Sequence, residues 1–147
     1  MKISNVLQLK NYIFIKIFPK SFFEIDILLE LDLEGCSRLI ILPNDMESLT
    51  SLKVLNLDSC TKLKTLPKSI LISLPNELDN LISLTTFDIG SCSKLKSLGN
   101  ELGNLISLTT LIMWRCSILT TLSKELGNLK SLTILNMNLC SGLITLL

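Results

Sequence analysis

The sequence predicts an α/β solenoid: a right-handed, horseshoe-like arc of six units, with a parallel β-sheet on the concave face and short helical or 3₁₀ turns on the convex face. Three observations predict it. Cysteines recur at Cys36, Cys60, Cys92, Cys116 and Cys140, with three gaps of 24 residues and one of 32. Ahead of each cysteine, apolar residues, mostly leucine, hold one fixed frame. Nearly half of the 147 residues are apolar, enough for a core shared along the whole chain. A fixed period in this range is the mark of stacked repeats, each too small to bury its own face.

The unit is close to L-x-x-L-x-L-x-x-C-S-x-L-x-x-L-P-x-E-L-G-N-L-x-S, as across Leu108–Ser131, where Met113 and Ser123 stand at two of its positions. The chain is therefore read as a single leucine-rich repeat domain over residues 1–147. Its frames begin near 4, 28, 52, 84, 108 and 132. The first is divergent: Leu7 and Leu9 match Leu31 and Leu33, while Tyr12 stands where Cys36 stands.

Each element has its own local reason. L-x-x-L-x-L alternates apolar and polar residues and predicts a strand with one buried face. P-x-E-L-G-N-L, as in Pro75–Leu81, starts with a residue suited to a first helical position and predicts one helical or 3₁₀ turn. The pairs Met46/Leu49, Leu78/Leu81, Leu102/Leu105 and Leu126/Leu129 then point inward. The long gap holds an eight-residue insertion near 64–75, where Leu66-Pro67-Lys68-Ser69 is echoed by Leu74-Pro75-Asn76-Glu77. It reads as a tolerated loop bulge, since lengthening a loop costs little entropy, or as a partner-contacting bulge.

The spacing L-x-x-L-x-L-x-x-C-x-x-L-x-x-L-P resembles the repeats of plant intracellular immune receptors, the nucleotide-binding leucine-rich-repeat (disease resistance) proteins. That resemblance implies a cytoplasmic plant-defense sensor region that binds a protein and restrains a signalling domain. No G-x-x-x-x-G-K-[ST] phosphate loop is present to signal. Neither end reads as a convincing cap. The expectation is a fragment of a larger receptor, with end-to-end self-association through apolar termini as a further possibility.

Composition narrows the chemistry. Net charge is +1 and no apolar run approaches the ~18 residues of a membrane span, so neither nucleic acid nor membrane is expected as a partner. There is no histidine, which removes Ser-His-Asp and Cys-His catalysis and every histidine-containing metal site. The odd number of evenly spaced cysteines argues against a secreted disulfide framework and for a reduced, intracellular chain. No cofactor, no metal and no enzyme activity are expected.

Stacking places the cysteines in a column where the chain turns off each strand. The reading is a structural ladder of small, weakly hydrogen-bonding side chains, with metal or redox use as the sharper alternative. The outward strand positions form two further columns. One reads Gln8, Asp32, Asn56, Asp88, Ile112 and Asn136; the other reads Lys10, Glu34, Asp58, Gly90, Trp114 and Asn138. Of these, Asp32, Glu34, Asn56, Asp58, Asp88, Ile112, Trp114, Asn136 and Asn138, together with Arg115, are the candidate partner-binding residues. An exposed Trp–Arg pair has the chemistry of interface hot spots. The alternative is a solvated acidic strip with a tryptophan packed sideways. An open sheet is not expected to desolvate carboxylates enough to shift their pKa values, which argues for recognition over catalysis. A basic rim follows the cysteines (Arg38, Lys62, Lys64, Lys94, Lys96) and reads as a solvated edge without interleaved aromatics. The function these residues support is a non-enzymatic protein-recognition module, the alternative being a free-standing adaptor or inhibitor.

Overall fold

The structure is a computed structural model that describes residues 5–18, 27–43, 46, 49–66, 83–98, 100–120 and 124–143. The insertion, apart from residues 64–66, and the pair Leu78/Leu81 lie outside them. Among the described residues six strands occur: β1 (Val6–Gln8), β2 (Glu30–Asp32), β3 (Val54–Asn56), β4 (Thr86–Asp88), β5 (Thr110–Ile112) and β6 (Ile134–Asn136). They form one parallel sheet in chain order. Leu7, Leu31, Leu55, Phe87, Leu111 and Leu135 occupy one register column.

Backbone pairing runs past these short strands. Leu33 N–H donates to Asn56 C=O and Gly35 N–H to Asp58 C=O, each at 2.8 Å. The same two rungs recur along the stack, as Met113 to Asn136 and Arg115 to Asn138. Each strand then ends at one kind of turn. Cys36 N–H bonds back to Leu33 C=O at 3.0 Å, and Gly35 between them has a φ of 71°. A positive φ at the third residue is the type II signature. Asn11, Ser59, Ser91, Arg115 and Leu139 hold the same left-handed conformation in their frames. Arg115 and Leu139 do so against the usual steric preference of side-chain-bearing residues.

The return path is 3₁₀ where described, at Asn100–Asn104 and Lys124–Asn128. Each ends near an inward leucine, Leu105 or Leu129, and Met46 and Leu49 fill the same role earlier. The core is one continuous column set. Leu31, Leu55, Phe87 and Leu111 are fully buried, as are Leu33, Leu57, Ile89 and Met113. Each such side chain contributes about 1.5–3 kcal/mol relative to exposure. Burial relaxes in the β6 frame, where Leu135 is 40% exposed although Leu31, Leu55, Phe87 and Leu111 are fully buried.

A second column strengthens the C-terminal half. Thr85, Thr109 and Thr133 each donate their Oγ1 proton to the backbone carbonyl one frame back, at 3.0–3.1 Å. The donors stack because the S-L-T segment repeats in register.

Candidate functional site

The cysteine column lies under the edge of the sheet. Each thiol donates to the backbone carbonyl of the preceding frame: Cys36 to Leu9, Cys60 to Leu33, Cys92 to Leu57, Cys116 to Ile89 and Cys140 to Met113, at 2.7–3.3 Å. The five thiols are free. Burial pushes Cys36 up, Cys60 and Cys116 to about 12, and Cys92 higher still. A buried thiol donating to a carbonyl is held in its neutral form and is a poor nucleophile. Tyr12 does not fill the equivalent slot: its ring is half exposed, stacked edge-on against Phe14 at 6.0 Å. Among the described residues, no three acidic or cysteine side chains converge in a way that would hold a metal ion.

The outward columns are more structured than the sequence suggests. Asp32, Asn56, Asp88 and Asn136 each accept a hydrogen bond on Oδ1 from the backbone N–H two residues on, at 2.8–3.1 Å. These Asx turns hold the backbone as it leaves the strand. Asp and Asn at one column, two residues before the turn, are the signal that could have revealed this role. Ile112 holds the same column and has no such acceptor.

Electrostatics divide the face into two parts. At the β1–β3 end, Lys10 Nζ lies 2.8 Å from Glu34 Oε2 and 3.3 Å from Asp32 Oδ2, and Asn56 Nδ2 donates to Glu34 at 3.3 Å. The hydrogen bond to Glu34 raises the Lys10 pKa, and the same contact lowers that of Glu34. These groups are solvated, and the pair is a surface contact of small energetic weight.

At the β3–β5 end the expectation of unshifted carboxylates fails. Burial raises the pKa values of both Asp58 and Asp88, and the neighbouring acids add to the effect. The physical reason is lateral crowding. Parallel strands about 4.8 Å apart let side chains in adjacent frames cover one another without any pocket. Asp58 Oδ2 accepts from Ser59 Oγ at 3.4 Å, while its Oδ1 is buried with no hydrogen-bond partner among the described residues.

Gly90 is the residue that sequence reasoning undervalued. A methyl group there would press on Trp114 Nε1 and lie 2.6 Å from Asp58 Oδ1. The missing side chain lets the Trp114 indole lie across the Gly90 backbone beside Asp58. Trp114 remains partly exposed, and the Arg115 guanidinium sits 5.0 Å from its ring centroid. Arg115, in the left-handed turn conformation, is exposed. A small residue beside a large one in a single column was the available signal. Asn136 is half-buried and Asn138 exposed, both one frame beyond Trp114 and Arg115.

No protein-family profile and no curated protein sequence matches the chain. Solved structures do. The leucine-rich repeat domain of the type III effector XopL superimposes with a TM-score of 0.68 at 20% identity, over 97% of this chain and 55% of that one. A Leptospira interrogans leucine-rich repeat protein gives 0.40 at 24% identity, over 85% and 46%. The chain thus spans about half the length of either. Among the described residues no helix is long and apolar enough to cross a membrane. The stacked parallel strands, the repeated turns and the likeness to the XopL domain establish that this chain has the leucine-rich repeat fold.

Proposed function

We propose that the chain is a non-enzymatic recognition module that seats a protein partner on the outward face of its sheet. The observation that carries this is the Trp114–Gly90 arrangement. A tryptophan is held against the Gly90 backbone, partly exposed, with a guanidinium over it and half-buried carboxylates beside it. Aromatic and arginine side chains on a rigid scaffold lose little conformational entropy on binding, which favours them as anchors. Asp58 and Asp88 add a partly desolvated negative surface that selects for cations on the partner. Nucleophilic chemistry is disfavoured at Cys36, Cys60, Cys92 and Cys116, whose thiols are buried with raised pKa values.

Footprinting tests this reading. A ligand selected from a displayed peptide library against the chain should protect Trp114 from hydroxyl-radical oxidation. Protection confined to the 3₁₀ side, with Trp114 oxidised as in the free chain, would refute it.

The resemblance of the cysteine-bearing frame to plant immune-receptor repeats supports a finer reading, a sensor region of a larger cytoplasmic protein. The alternative is a free-standing adaptor or inhibitor. An immunoblot of the endogenous protein with an antibody to residues 97–115 separates them. A band several times 16.4 kDa fits the receptor, and a band near 16.4 kDa fits the adaptor.

A further inference from the structure

Where the chain turns away from the sheet, stacking builds a rim with two kinds of exposed side chain. Phe14, Arg38, Lys62 and Lys94 hold equivalent positions in successive frames, as do Lys16, Ile40, Lys64 and Lys96. The rungs are tied together. Ile40 N–H donates to Lys16 C=O at 3.0 Å and Lys64 N–H to Ile40 C=O at 3.2 Å. Ile17, Ile41 and Thr65 form successive parallel bridges, and Ser93 Oγ donates to Thr61 C=O at 3.3 Å.

The first rungs are apolar and open to solvent. Phe14 is 73% and Ile17 66% exposed, with Tyr12, Ile13 and Ile41 also exposed beside them. Phe14 stands in the column that later carries Arg38, Lys62 and Lys94, one frame before the first of these cations. Lys16 and the five rim cations of the following frames are all exposed, and none makes an ion pair among the described residues. The acids whose side chains are described (Glu30, Asp32, Glu34, Asp58, Asp88) belong to the strands and the turns directly after them. The rim is thus cationic at Lys16, Arg38, Lys62, Lys64, Lys94 and Lys96, with exposed apolar side chains gathered at its first rungs, while the last two frames carry Ile118, Thr120 and Gly142 in the same columns.

We propose that this rim docks on the anionic surface of a lipid bilayer, with Phe14 and Ile17 entering the headgroup–acyl boundary and the rim cations facing the charged headgroups. Clustered cations are drawn to an anionic leaflet, and exposed aromatic and aliphatic side chains add buried apolar area on contact. An isolated exposed apolar residue needs no explanation, but a contiguous group rimmed by charge does. A nucleic acid is the poorer fit. Base stacking uses aromatic faces interleaved with cations, whereas the isoleucines here have no such face and the apolar residues sit at one end. The surface is separate from the sheet face proposed for protein recognition, so each stands or falls alone.

Flotation of the full chain with phosphatidylcholine vesicles, with and without phosphatidylserine, tests the proposal. Binding is expected only to the phosphatidylserine vesicles and is expected to fall with added salt. Reversing charge with Lys62→Glu and Lys94→Glu together should weaken it by roughly tenfold or more. Phe14→Ser should weaken it at every salt concentration. These residues are exposed, and an unchanged thermal melt confirms that the variants fold. The proposal is overturned if the wild-type chain does not float with phosphatidylserine vesicles, if the variants float equally well, or if the chain binds heparin or RNA but no vesicle.

Discussion

Asp88 shows how a single side chain on the sheet face serves structure and charge at once. Its Oδ1 accepts from Gly90 N–H at 2.8 Å, while burial and neighbouring acids raise its pKa. Asp88→Ala leaves that N–H without its acceptor and should cost about 1–2 kcal/mol in urea denaturation. Asp88→Asn keeps the acceptor, as Asn56 and Asn136 do, and removes the charge, so it should match or exceed wild-type stability at neutral pH. The pH dependence has a definite sign. A carboxyl whose folded-state pKa is raised binds its proton more tightly when folded, so stability rises as pH falls from neutrality through that raised value. Asp88→Asn should flatten this rise. The cysteines give a second test at the same scale. Cys60, Cys92 and Cys116 are fully buried with raised pKa values, whereas Cys140 is partly exposed. Iodoacetamide at mildly alkaline pH, mapped by mass spectrometry, should modify Cys140 first and the other three only on unfolding.

The strand-and-turn element repeats with its side-chain acceptor in four of six frames, Gln8 standing in that column in the β1 frame. In the β2, β3, β4 and β6 frames an Asp or Asn caps the turn, while the β5 frame has Ile112. Ile112→Asn should supply the acceptor to Trp114 N–H and raise the urea midpoint, through a gain of about 0.5–1.5 kcal/mol in unfolding free energy for one hydrogen bond. A fall in the midpoint would mean that Ile112 contributes more by packing than the bond returns. The leucine frame and the three-residue spacing of the inward 3₁₀ pairs made the elements legible, because burial of one face imposes a period on the sequence. The Asx turns and the threonine ladder were hidden for the opposite reason. They bond to backbone, which any sequence supplies, so only the polar partner leaves a trace, and Asp32 or Asp88 reads equally well as a binding acid.

Across the whole molecule, the described side chains separate charge along the first frames. The acids among them lie along the sheet and its turns, and Lys16, Arg38, Lys62, Lys64, Lys94 and Lys96 lie along the rim beside it. A net charge of +1 conceals this separation, which is why composition pointed to no charged partner. The fold was readable from the repeat period alone. The candidate site was readable only in part, since Trp114 and Arg115 stand out by residue type while the Gly90 floor beneath them depends on contact between frames. The likeness to the XopL domain extends the fold and says nothing of the partner. The most direct test is calorimetry of the wild-type chain and Trp114→Ala with one library-selected ligand. The account predicts that the substitution weakens binding by more than about 1 kcal/mol, roughly fivefold or more in Kd, with the melting temperature unchanged. An unchanged Kd for a ligand of the sheet face would contradict it.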